Sequence, residues 1–220
     1  MGRLNSGVRA HSAMLPLENS SPSLEGILAK LVKLGVTSDI QQKIGAFGVS
    51  WGLFESHLEG VIWLLNEESV KGVRPSTDKS QISDWIIRLG SGHPSLSEEA
   101  KTVLVNASKA AEHLMHYRHA LFHGMLVPLP GGAPMFMRNP LWNGEIRKRE
   151  SGSASVGDNL LDMAIESAWS LVVLTATVRK VMRSETSMKF LENLNRSIDR
   201  ARSMSAELHH LAVATDCEKY

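Results

Sequence analysis

The densest run of side chains able to do chemistry is His113-Leu114-Met115-His116-Tyr117-Arg118-His119-Ala120-Leu121-Phe122-His123-Gly124. An arginine keeps its charge at any physiological pH and offers a planar fork of donors matched to phosphate oxygens. A histidine ordinarily titrates near neutrality, so one at 123 is suited to taking up or returning a proton during a reaction. These types suit chemistry at a phosphate, but an arginine near a helix C-terminus also complements the helix dipole, and a histidine beside a terminal glycine is an ordinary cap neighbour. A second reading of the same stretch uses His116, His119 and His123, spaced by three and four along one helix face with Glu112 beside them. That spacing permits a metal, but the face lies opposite the apolar seam, where exposed polar residues are expected anyway, so no metal or other cofactor is expected. Arg138 with Arg147, Lys148 and Arg149 forms a local basic patch, ordinarily a solvated edge and, in a protein acting on RNA, a contact for backbone phosphates.

These residues need a scaffold, and the chain is long enough to supply one. At 220 residues and 24.2 kDa, with 43% hydrophobic and 21% charged residues, it can build one sizeable core, and wholesale disorder is excluded. A net charge of +1 and a pI of about 8.0 exclude a strongly basic, non-specific nucleic-acid binder, so any such contact must be local. The single cysteine, Cys217, cannot form an internal disulfide or a multi-cysteine zinc site. No run of 18 apolar residues occurs, and Met1 to Pro16 has no apolar stretch of signal-peptide length; no membrane contact and a cytoplasmic location are expected.

The patterning predicts an all-α helical bundle with a small β-hairpin insertion around residues 125–148. Residues 1–20 are expected to be a disordered lead, 21–185 the bundle, and 186–220 a C-terminal helix and tail packed on it or extending it. A short helix is expected over 22–34, capped by Ser21. Ile40, Ile44, Phe47, Trp51, Phe54, Leu58, Val61 and Leu65 step by four and three, the seam of one long helix entered through a capping box at Ser38–Gln41. Gly45, Gly48, Gly52 and Gly60 each cost that helix about 1 kcal/mol relative to alanine, a cost that close approach of a neighbouring helix is expected to offset. Around Arg74-Pro75 a loop is expected, then a helix from Ile82 ended by Gly90. Ser95–Glu98 reads as a capping box opening a second long helix that ends at His123-Gly124, with Gly124 in the left-handed position. Two strands around Gly131-Gly132 and a third over 142–148 are expected, then a polar linker over 151–157. Asp158 caps a helix to about Met182, and one last helix spans about 189–211.

The arrangement Arg118-His119-(three residues)-His123-Gly124 resembles the arginine–polar–histidine signature of HEPN domains (higher eukaryotes and prokaryotes nucleotide-binding). The layout resembles them too: a long helix carrying an acidic residue, Glu55, then a long helix ending in the motif, a hairpin-like excursion and a third long helix. The resemblance covers roughly residues 38–185. It implies a compact helical bundle, often a homodimer, and in many members a metal-independent endoribonuclease. In that reading Arg118 grips a phosphate oxygen and His123 serves as acid or base while the 2′-hydroxyl attacks the adjacent phosphate. His119 orients either partner, and Glu55 holds the arginine. A toxin, stress or phage-defence setting is implied by the family alone, as is a cognate antitoxin or other protein partner.

Ideal helix geometry sets Arg118 roughly 60° from the apolar centre line and His123 roughly 160° from it, on the other side. Their convergence is therefore expected to need a bent helix end or a second subunit. Two other readings remain beside the nuclease. One is a non-catalytic HEPN-like module binding a nucleotide or a protein, with Arg118 locked in an intramolecular salt bridge and His123 facing solvent. The other is a helical scaffold whose histidine face binds a divalent metal.

Overall fold

The computed structural model describes residues 23–68, 80–129, 131–138, 152–157 and 159–217. The chain forms a helical bundle with one small antiparallel sheet. Its elements are α1 (Leu24–Lys33), α2 (Ser38–Leu65), α3 (Ile82–Ser91), α4 (Glu98–His123), β1 (Met125–Val127), β2 (Met135–Arg138), β3 (Gly152–Ser155), α5 (Leu160–Met182), α6 (Met188–Glu192) and α7 (Asn195–Cys217). The expected lead and the loop around Arg74-Pro75 lie outside the described residues.

The seam read from spacing is the core. Phe47, Trp51, Phe54, Leu58, Val61 and Leu65 are buried along one side of α2, and Ile40 and Ile44 pack at its edge. Lys43 reaches Asp162 (3.0 Å) near the start of α5, and Gly60 sits against the Arg179 side chain near its end, so α2 and α5 run parallel. On α4 half of the buried positions are alanine: Ala100, Ala107, Ala110, Ala111 and Ala120. Small side chains let α3 and α7 approach closely. Ser108 donates to the Ile86 carbonyl at 2.8 Å where α3 crosses, and a Cβ on Gly90 would meet the Ser108 hydroxyl at 2.9 Å. Arg88 ties the C-terminal end of α2 to α3, donating to the Leu65 carbonyl, to Asn66 at 2.6 Å and to Gly92 at 2.8 Å. Carbonyls at a helix end lack intrahelical partners, and this guanidinium supplies one.

Several local expectations shift. Caps fall elsewhere: Ser23 on α1 accepts from Gly26 N–H, Thr37 on α2 from Ile40, and Ser97 on α4 from Ala100. Ser95 instead bonds His93 at 2.7 Å. Helix α3 continues through Gly90 and stops at Gly92, whose φ of +63° favours glycine. Gly45 and Gly52 meet nothing within 4 Å, so the neighbouring helix expected over them is absent from the described residues. The last helix is two, α6 and α7, broken at Asn193-Leu194.

The third strand is Gly152–Ser155, the segment expected to be a linker, while residues 139–151 lie outside the described residues. Its register pairs Arg138 with Gly152 and Phe136 with Ala154. Ser153 and Ala154 are buried, and the strand lies against α4 and α7. Small side chains explain both the fit and the weak sequence signal: they permit close packing but lack the branched or aromatic residues that mark a strand. Helix α7 packs lengthwise on α4 and α5, with Ile198, Ala201, Ser205 and Leu208 buried. Among the described helices, α5 alone is long and apolar enough to cross a membrane, and half of its most apolar window is buried inside the bundle.

Candidate functional site

Helix α4 runs unbroken to His123, and Gly124 turns the chain directly into β1. Gly124 is not left-handed, with φ −84° and ψ 159°. A glycine suits this position for space. A Cβ there would overlap the Ala120 carbonyl oxygen and come within 3.0 Å of Met137 N. The end of α4 thus lies hard against β2, the strand that ends at Arg138.

That junction gathers four basic side chains. Arg118 Nη1 lies 3.2 Å from His123 Nε2. The His119 and His123 rings stand 5.7 Å apart, and the Arg118 guanidinium carbon lies 5.9 Å from the centre of the Phe122 ring. Burial is the largest influence on His119, and the charge of Arg138 and then of Arg118 adds to it; together they lower its pKa to about 4. His119 is therefore a neutral imidazole over the physiological range. No carboxylate among the described residues pairs with Arg118 or Arg138. The carbonyls at the end of α4 carry partial negative charge, which offsets part of the repulsion within the cluster.

The Arg118–His123 contact bears on which ring nitrogen accepts. Arginine has five donors and no acceptor, so the histidine nitrogen facing it must accept. In this arrangement Nε2 of His123 carries a lone pair and Nδ1 the proton. The expected need for a bent helix end or a second subunit falls away, because the long arginine side chain spans the angle within one chain. The salt bridge expected of a locked Arg118 is absent among the described residues.

Glu55 is placed elsewhere. Its Oε1 accepts from Trp51 Nε1 at 2.7 Å. It stands eight residues after Phe47, about 12 Å further along α2, beside a recess of about 410 Å³ lined by Gly52, Ser56, Glu59, Ile82 and Trp85. It does not hold Arg118. Arg147, Lys148 and Arg149 lie outside the described residues. Among the described residues no group of three His, Cys, Asp or Glu side chains has metal-binding geometry. His116 and His113 turn instead toward α7: the His113 and His209 rings stack at 5.0 Å and 6°, and His116 and His209 lie at 5.5 Å.

Phe122 belongs to no motif, yet it is 44% exposed at the centre of this junction. Its spacing of four from Arg118 is the signal that puts ring and guanidinium on one helix face. Set beside known proteins, the chain matches no family model, no curated protein and no solved structure.

Proposed function

We propose that this chain is a metal-independent endoribonuclease of the HEPN type, working as a homodimer on RNA. The observation that carries the reading is the Arg118–His123 pair: an arginine without a carboxylate partner among the described residues, 3.2 Å from a histidine nitrogen that must hold a lone pair. A phosphate arriving at Arg118 takes over its donors, and Nε2 of His123 is then free to accept a proton. The 2′-hydroxyl gives up that proton as its oxygen bonds to the adjacent phosphorus, and the bond from phosphorus to the 5′ oxygen breaks. The imidazolium returns the proton to the departing 5′ oxygen, leaving a cyclic phosphate. Every atom in this sequence comes from RNA and His123. DNA lacks the attacking hydroxyl and is inert by this route.

His119, uncharged, is not the acid; in this reading it orients either partner, as the resemblance implies, and Arg138 adds a second cation for the phosphate backbone. The test is cleavage of mixed cellular RNA in EDTA by wild type, Arg118→Ala and His123→Ala. Wild type is expected to cut and leave cyclic-phosphate ends, with each variant at least about a hundredfold slower, as expected for removal of a positioned acid–base or charge-stabilising group. Equal activity in all three preparations would refute the assignment. A folded, dimeric but inert wild type would favour the module that binds a nucleotide or a protein partner such as an antitoxin.

A further inference from the structure

We infer that Phe122 is the platform on which an unpaired base next to the cleaved phosphate stacks, so that the site takes single-stranded RNA. This rests on the nuclease reading and adds to it the residue that holds the base.

The ring is exposed, yet it is firmly seated. Phe47, fully buried, lies near-parallel to it at 11° with centroids 6.3 Å apart, and Tyr117 braces Phe47 edge-on at 5.8 Å. Beneath Phe122 sits Gly48, where a Cβ would come within 3.1 Å of the ring tip. A side chain at 48 would push the ring aside, so the glycine that costs α2 helix stability leaves room for this aromatic group. Such a ring meets a ligand already ordered, and little rotamer freedom is lost on binding.

The surroundings specify the ligand. The Arg118 guanidinium carbon lies over the ring, 5.9 Å from its centre; once its donors turn to a phosphate that face is opened to a base, and His123, the next residue in the chain, stands beside it. One nucleotide presents that combination, a charged phosphate joined to a planar base. Cationic grooves with aromatic platforms are how proteins hold single strands, because every base has a face to stack. In an A-form duplex those faces are covered by neighbouring bases.

The experiment uses the full chain and a short RNA carrying 2-aminopurine, with every 2′-hydroxyl replaced by fluorine so that it cannot be cleaved. Stacking quenches 2-aminopurine fluorescence. Wild type and Phe122→Tyr are expected to bind and quench alike. Phe122→Leu, which keeps an apolar contact with Gly48 but has no flat face, is expected to bind about tenfold more weakly and without the quench. The same RNA annealed to its complement is expected to bind no better than the single strand does to Phe122→Leu. Unchanged binding and quenching in Phe122→Leu would overturn the platform, as would loss of the dimer in that variant by sedimentation, which would make the ring a subunit contact. Cleavage in EDTA is scored separately. A wild type that quenches but does not cut keeps the platform and loses the nuclease. One that cuts with an unchanged KM in Phe122→Leu does the reverse, and one that binds no RNA loses both.

Discussion

Arg118 Nη1 and His123 Nε2 meet at 3.2 Å although five residues at about 100° each set their Cα–Cβ directions roughly 140° apart around α4. The arginine side chain covers that angle, and Phe122 supports it part of the way. This makes the contact specific to a long, forked cation. Lysine keeps the charge but has no planar fork, and its flexible stem does not share the load between phosphate and ring. In RNA cleavage, Arg118→Lys is expected to lose about tenfold or more. Full activity in the lysine variant would reduce the role of Arg118 to charge alone.

Two glycines at the ends of the same argument behave oppositely. At Gly124 a methyl group strikes the Ala120 carbonyl and approaches Met137 N to 3.0 Å, and neither is a side chain able to swing away. Gly124→Ala is expected to cost about 1–3 kcal/mol and to move β2, and with it Arg138, away from the cluster. At Gly45 the space is open and the position lies inside α2. Gly45→Ala is expected to gain about 0.5–1 kcal/mol. Urea unfolding measures both, and the two variants must shift in opposite directions.

Helix-scale structure was legible because the signal is periodic: Phe47 to Leu65 repeats every three or four residues, and burial follows it. What escaped lay in places where side chains are small or act at a distance. Strand β3 is Gly-Ser-Ala-Ser, which has no strand signature and is defined only by the helices it touches. The caps moved by one or two residues because several serines and threonines near each helix start can serve equally well. Arg118, His119 and His123 share one helix end, so their spacing alone puts them together, whereas only the layout links Glu55 to them. Its bond to Trp51, one turn back on α2, is a local preference that layout does not register. Phe122 was readable in principle from its spacing, but an exposed ring becomes informative only once Gly48 and Phe47 are known to lie beneath it.

Tyr117 joins the core to the sheet. Its buried hydroxyl donates to the Ser155 carbonyl at 2.8 Å, and burial pushes its ionisation well above the ordinary tyrosine range. Tyr117→Phe leaves that carbonyl without its side-chain partner, at a cost of about 1–2 kcal/mol. Of the chain's two tyrosines, one is expected to titrate late in an ultraviolet difference titration. That late step must vanish in the variant, and its persistence would assign it to Tyr220.

Acid should weaken the fold through its histidines. In the unfolded chain a histidine takes up its proton near pH 6.5; in the fold His119 does so near pH 4, held down first by burial and then by Arg138 and Arg118. Between those values the unfolded chain binds more protons, so unfolding free energy rises with pH across that window and falls on acidification. Stability from this source is intact above about pH 6.5 and lost progressively toward pH 4. His113 acts in the same direction: burial and then His209 lower its pKa, His116 adds to this, and Glu112 opposes it. Urea midpoints taken between pH 4.5 and 7 are expected to drop on the acid side, and His119→Gln and His113→Gln should each flatten part of that slope. An unchanged slope in both variants would place the acid sensitivity elsewhere. The same neutrality bears on catalysis. With His119 uncharged well below pH 6, an acid limb in the cleavage rate above pH 5 belongs to another group, and it should survive in His119→Gln.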